Sequence, residues 1–323
     1  MILRPSAYHS KGGHSRRAPQ SLGGSVLDNL LFIYNPTAGK GQVAEKLSSV
    51  VDVFTKAGWL VTVRPTQSKG DATRIARELG PSFSRVVCAG GDGTLSETVS
   101  GLIDLKDPPL LGYIPSGSTN DCATTFGLSK VPRQAAEAAA ETGIPTPIDI
   151  GRLNGTPFVY VAAFGAFTKV AYDTPQDLKK TFGHLAYVME GIASLPTISP
   201  IHLKVEYDQG VIEDDFFFGM VSNALSIGGM RPPNSSNVVL DDGLFEVYLV
   251  KKPVTLADVA NGFQAFLSMK PGDPGSLIQF QTSRLVITGQ EPLHWTIDGE
   301  YGGGQTVNVV ENCNKALTIL RGK

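Results

Sequence analysis

The sequence predicts an α/β protein in two units: an N-terminal α/β unit built on a parallel sheet, then a mainly antiparallel β-sandwich. Three observations carry this reading. Between residues 30 and 141 short apolar runs alternate with segments of helical period, the pattern of a helix-covered parallel sheet. Beyond Pro145-Thr146-Pro147 strand patterns dominate. Within that part Asn154-Gly155 joins two apolar runs, a two-residue hairpin signal. The expected divisions are a tail over 1–27, an α/β unit over 28–147 completed by 312–323, and a β-rich unit over 148–311.

Leu30-Leu31-Phe32-Ile33-Tyr34 is continuously apolar, as in a strand buried on both faces. Val43, Leu47, Val50, Val51 and Phe54 recur at helical spacing. A second strand is expected over 59–63, a helix on Ala72, Ile75, Ala76 and Leu79, a third strand over 85–89, and a helix bearing Leu95, Val99, Leu102 and Ile103. A fourth strand over 110–114, a short helix from Ala123 and an alanine-rich helix after Pro132 complete this half. In the second half strands are expected over 148–153, 157–163, 201–207, 211–221, 244–250, 277–281, 285–288, 293–297 and 316–320, with Asp208-Gln209-Gly210 as a turn and helices over 178–195 and 256–267.

The 28 Lys and Arg against 30 Asp and Glu leave a net charge of −2, which excludes bulk electrostatic binding of nucleic acid. The three cysteines, Cys88, Cys122 and Cys313, are too far apart for a zinc pattern or a disulfide framework and fit a reducing compartment. The basic stretch within 1–27 lacks the apolar run of a secretory signal, and no apolar run is long enough to cross a membrane.

Three loops that each follow a strand and precede a helix carry the chemistry. They are Asn35-Pro36-Thr37-Ala38-Gly39-Lys40-Gly41, Gly90-Gly91-Asp92-Gly93-Thr94 and Pro115-Ser116-Gly117-Ser118-Thr119-Asn120-Asp121. In a parallel sheet they gather at the carboxyl edge, where open α/β sheets bind ligands. Glycines admit close approach, and N–H groups at helix starts favour anions, so phosphate is expected. The first loop is not a P-loop, because Gly41 follows Gly39-Lys40 and Tyr34 replaces the first glycine. Asp92 would repel phosphate by ~4 kcal/mol at ~4 Å and an effective ε of ~20 unless a divalent cation lay between them. Mg²⁺ is the expected ion, with Asp121 a second anchor acting through metal-bound water. The plainer alternative is that Asp92 organises a turn and Asn120-Asp121 caps a helix.

Taken together, the three loops closely resemble those of the diacylglycerol kinase catalytic-domain family, the soluble bacterial lipid kinases related to sphingosine and ceramide kinases. The likeness runs from about Leu30 to the C-terminus. NAD kinases share the Gly-Gly-Asp-Gly-Thr segment; the loops on either side of it distinguish the two groups. The resemblance implies ATP bound between the two units, at Asn35, Pro36, Thr37, Ala38, Gly39, Thr66, Gly91, Asp92, Gly93, Thr94, Leu95, Ser96, Glu97 and Ser118. Thr66 opens the segment Thr66-Gln67-Ser68-Lys69-Gly70-Asp71-Ala72, which is similar to the family's threonine-to-Gly-Asp-Ala segment. Ser118 stands where many relatives have Thr, and either supplies a hydroxyl.

Asp298-Gly299-Glu300 follows a strand pattern, and by itself reads as an ordinary Asp-Gly turn. The resemblance makes Glu300 the general base, with Asp298 a structural neighbour, and places Asp92 and Asp121 around the metal. It also implies a structural Mg²⁺ held by Asp242 and by the main-chain oxygens of Val239 and Leu244. Activity is then an ATP- and Mg²⁺-dependent transfer of the γ-phosphate to a lipid hydroxyl, with diacylglycerol giving phosphatidic acid, by a cytoplasmic protein peripheral to the inner membrane face. The β-rich unit would take the lipid, and relatives often form homodimers. Sphingoid bases, phosphatidylglycerol and undecaprenol-like lipids are alternative acceptors; an NAD kinase-like enzyme and a nucleotide-binding module without turnover are alternative functions. Asn223, the stretches 164–167 and 228–233 and the helix around Tyr187 could shape a lipid entrance or be core, and His184 is the one histidine expected near the cleft.

Overall fold

The computed structural model describes residues 28–165, 200–229, 238–251 and 277–322. The expected helices over 178–195 and 256–267, the tail, Ala166, Phe167, His184, Tyr187 and 230–233 lie outside the described residues.

Four strands, β1 (Asn29–Tyr34), β2 (Leu60–Pro65), β3 (Arg85–Gly90) and β4 (Leu110–Pro115), pair in parallel in the order β4-β3-β1-β2. Between and after them come α1 (Gln42–Glu45), α2 (Leu47–Lys56), α3 (Asp71–Leu79), α4 (Asp92–Leu102), α5 (Asp121–Thr125) and α6 (Pro132–Glu137). The pleat sends alternate β1 side chains to opposite faces. Leu31 and Ile33 pack with Ile75 of α3 and Val99 of α4, while Leu30 and Phe32 pack with Val50 and Phe54 of α2 and Ala135 of α6. That is why β1 is apolar from Leu30 to Ile33.

The remaining strands are β5 (Ile144–Leu153), β6 (Thr156–Phe158), β7 (Val161–Gly165), β8 (Ile201–Tyr207), β9 (Gly210–Ser222), β10 (Phe245–Lys251), β11 (Leu277–Thr282), β12 (Arg284–Ile297) and β13 (Glu300–Arg321). Asn154 and Gly155 take φ of 49° and 84°, the left-handed pair of a type I′ hairpin turn, and Leu153 pairs with Thr156 across it. Tyr207 pairs with Gly210, so Asp208 and Gln209 alone form that turn and Gly210 begins β9.

The described strands form one 13-stranded sheet, not two stacked ones. The 13 residues of β9 and the 14 of β12 exceed what one neighbour covers. Each therefore pairs with β8 over one half and β7 over the other. The sheet curls back on itself around Phe158, Phe164, Leu203, Phe216 and Trp295. The two expected runs at 285–288 and 293–297 are halves of β12, separated by a register shift. β13 spans 22 residues, pairs antiparallel with β12 and β5, and at Ile319 joins β4 in parallel. It belongs to both halves of the molecule and sets the β12–β13 turn opposite the carboxyl ends of β1, β3 and β4.

Candidate active site

The three loops meet at those strand ends because their backbones lock together. Asn35 Oδ1 accepts from the N–H and hydroxyl of Thr37 at 3.0 and 2.9 Å, which rounds off the first loop. Gly39 sits at φ 57°, and a Cβ there would collide with the Ser116 carbonyl oxygen, so no side chain fits. A Cβ on Gly117 would lie 2.7 Å from Gly91 Cα, so the second and third loops are in main-chain contact. Asn120, itself left-handed, accepts the Gly117 N–H and donates to the Gly117 carbonyl, both at 2.8 Å. The result is one wall of a cleft of about 1010 Å³.

The cleft is lined by Asn35, Pro36, Thr37, Ala38, Gly39, Thr66, Gly91, Gly93, Thr94, Ser96, Glu97 and Ser118. Of the residues expected to contact ATP, Asp92 and Leu95 are absent from this lining. Leu95 is fully buried in the core with Val99 and Leu102, the helical stripe its spacing announces. Opposite stand Thr156 and Pro157 of β6, then Ile297, Asp298, Glu300 and Tyr301 around the β12–β13 turn.

The acids of the motifs mostly hold other elements in place. Asp92 accepts the N–H groups of Asp121 and Cys122 at 3.1 and 3.2 Å, one on each oxygen, and so caps α5 from outside. Burial pushes its carboxyl up, against the pull of those N–H groups. Asp121, 2% exposed, accepts from the Ser226 hydroxyl and the Gly228 and Gly229 N–H groups at 2.7–2.8 Å, tying α5 to the loop after β9. Glu97 accepts the Gly70 and Ala72 N–H groups at the start of α3. Asp298 accepts the N–H groups of Val159, Tyr160 and Val161 and the Ser96 hydroxyl at 2.6–3.2 Å; burial raises its carboxyl while these four donors oppose the rise.

Glu300 differs. It accepts no main-chain N–H among the described residues; its Oε2 takes a 2.8 Å bond from Lys69 Nζ, and the side chain is 61% exposed in the cleft. Asp298 and Gly299, at φ 48° and 83°, form a two-residue turn that places Glu300 two residues beyond Asp298 and its four donors.

Residues 29–153 match the diacylglycerol kinase catalytic domain. The diacylglycerol kinase of Bacillus subtilis (strain 168) is 36% identical over 295 residues, covering 88% of this chain and 95% of that protein. The chain belongs to the diacylglycerol kinase family. The diacylglycerol kinase of Staphylococcus aureus (strain MRSA252) is 32% identical over 281 residues, covering 86% of this chain and 87% of that one. In fold, this kinase is similar to a solved diacylglycerol kinase from Bacillus anthracis str. Sterne, at TM-score 0.72 and 23% identity over 93% of this chain and 98% of that one.

In the kinase the expected second metal loop lies away from the cleft. Val239 is exposed, and Asp242 Oδ1 accepts the Leu244 N–H at 3.0 Å. Buried Asp149 shapes that loop by accepting from the Gly243 and Lys315 N–H groups and from Asn314 Nδ2. Among the described residues no three His, Cys, Asp or Glu side chains cluster as a metal site. Asn223 is core: its Nδ2 donates to the Asp149 and Leu240 carbonyls. Lys69 and Tyr301 were within reach of the sequence, since each adjoins a motif residue, whereas Thr156 and Pro157 carried no chemical signal at all.

Proposed function

We propose that the kinase transfers the γ-phosphate of ATP to the hydroxyl of diacylglycerol, giving phosphatidic acid. The observation that carries this is Glu300, the cleft carboxylate left over once Asp298 and Glu97 are assigned to main-chain N–H groups. Transfer to an alcohol needs a group to take the hydroxyl proton and aim the oxygen, and a solvated carboxylate at the cleft supplies it. Glycine main chain and the start of α4 cradle the phosphates. The names of the relatives support the acceptor.

The residues fit Mg²⁺ only through its water. Both Asp92 oxygens already accept an N–H, but each keeps a second lone pair and Asp92 is half-buried. Mg²⁺ keeps several waters when it binds with phosphates; Asp92, between the lining residues Gly91 and Gly93, would reach such an ion through those waters, and buried Asp121 fixes Asp92 through its N–H. Bound there, Mg²⁺ would supply neutralisation of charge on the β- and γ-phosphates. Asp242, with main-chain oxygens of Val239 and Leu244, would hold a second, structural ion. Lipid is met by a peripheral protein at the membrane's inner face, with a homodimer as the working form; no helix among the described residues is long and apolar enough to cross a membrane.

The test offers labelled ATP with diacylglycerol, phosphatidylglycerol, a sphingoid base and NAD, and identifies the product by mass. Phosphatidic acid is the expected product; a phosphorylated sphingoid base or NADP would refute the acceptor. Glu300→Gln should lose about 10²–10⁴-fold in turnover with an unchanged melting temperature, the usual worth of a general base. Asp92→Ala should lose activity by orders of magnitude; turnover near wild type in either variant removes that role.

A further inference from the structure

Of the described side chains that line the cleft, Glu97, Asp298 and Glu300 are acids and Lys69 is the one base. A triphosphate entering there meets carboxylates, and the cation that could offset them is engaged with Glu300. The backbone under Lys69 is fixed: the Gln67 N–H donates to Asp71 at 2.7 Å, and the Gly70 N–H donates to Glu97 at 2.8 Å. The Lys69 side chain, 78% exposed, is free to pivot on that fixed base. We propose that Lys69 is a two-partner cation, paired with Glu300 before nucleotide binds and transferred to the triphosphate when it does, which releases Glu300 to take the acceptor's proton.

The inference rests on the reading of Glu300 as the base and of the cleft as the ATP site. It follows from relative strengths. An exposed ion pair to the single charge of Glu300 is weak, whereas a triphosphate offers the same ammonium several negative charges at once. Lys69 keeps its proton in the pair, where Glu300 and, at longer range, Glu97 hold its ammonium above the usual lysine range, and the negative triphosphate would favour the charged form in the same way. A carboxylate still paired with an ammonium is a poorer proton acceptor, so the pair must open before transfer.

The experiment measures binding by calorimetry, using Mg²⁺ with a non-hydrolysable ATP analogue and, separately, AMP. Lys69→Met should weaken the triphosphate by about tenfold and leave AMP unchanged, and Lys69→Arg should restore most of the loss. Glu300→Gln should tighten the triphosphate by about two- to fivefold, because no pair has to be broken. That gain should vanish in Lys69→Met/Glu300→Gln. Triphosphate binding unchanged in Lys69→Met, or a Glu300→Gln gain that persists without Lys69, overturns the inference. Turnover of Glu300→Gln separately tests the base, so an inactive Glu300→Gln with wild-type affinity would sink Lys69 and spare the base. Failure of the wild-type protein to bind either nucleotide would sink both.

Discussion

A carboxylate surrounded by glycines invites a metal, yet Asp92 spends both oxygens on the first N–H groups of α5. The sequence contains the acid and the helix start 29 residues later but not their proximity, which arises only when β3 and β4 lie side by side. Glu300 was legible through its motif and Lys69 lay inside another, but their pairing across 231 residues was not. Glu246 on β10 was legible in neither way. It is 7% exposed, its Oε1 accepts from Gln281, and its Oε2 has no partner among the described residues. Burial pushes its carboxyl up to about 7. Between an unfolded value near 4.3 and that folded value the native state binds the extra proton, so stability is lost as pH rises through the window. At about 1.4 kcal/mol per unit, the full loss is up to ~4 kcal/mol above pH 7. Glu246→Gln should therefore melt higher than wild type at pH 8 and nearly level with it at pH 4.5. A difference in melting temperature that stays constant across this range would contradict the assignment.

Among elements, α4 and the β12–β13 hairpin meet through a side-chain bond, Ser96 Oγ to Asp298 Oδ2 at 2.6 Å. The family resemblance marks Ser96 as an ATP contact, and the structure places its hydroxyl against the turn that carries Glu300. The two roles predict different kinetics. Loss of a positioning bond lowers kcat, whereas loss of a ground-state nucleotide contact raises KM for ATP. Ser96→Ala leaves Asp298 with three main-chain donors, so the fold should survive at a cost of about 1.5–3 kcal/mol, the usual worth of a hydrogen bond to a charged group. The expected result is a kcat lower by roughly tenfold with KM for ATP changed less than about threefold, from steady-state kinetics on Ser96→Ala and Ser96→Thr. A raised KM with unchanged kcat would return Ser96 to the nucleotide. Strand identity was easier to read than strand partnership. The apolar run of β9 and the alternation in β12 announce strands, but both suit a sandwich or a sheet that curls, and only their length lets both pair twice.

At the scale of the molecule, the composition shift at Pro145-Thr146-Pro147 suggested a boundary between 147 and 148, but β5 runs unbroken from Ile144 to Leu153 across it. The sequence records where strand patterns begin and, at 312–323, a strand that completes the first unit; it does not record that β5 closes the same core or that β13 runs unbroken from one half into the other. Ile148, Ile150, Leu317 and Ile319 are buried with Leu31, Ile33, Val86 and Leu111 of the parallel strands. At ~1.5–3 kcal/mol for each fully buried aliphatic side chain, these four supply on the order of 6–12 kcal/mol, as much as the whole net stability of an ordinary domain. The segment 28–147 expressed alone should therefore lack a stable native state and show no cooperative melting by circular dichroism. Calorimetry of the full chain should show one transition shared by both halves. A cooperative melt of the isolated segment would mean that β13 braces a core already able to stand alone. The cleft would then lie between two independent bodies, and a fixed Lys69–Glu300 distance could not be built into the chain. If the segment fails to fold, one strand explains both the shared stability and the placement of Glu300, because the residue that opens β13 at the cleft is continuous with the residues that close the N-terminal core.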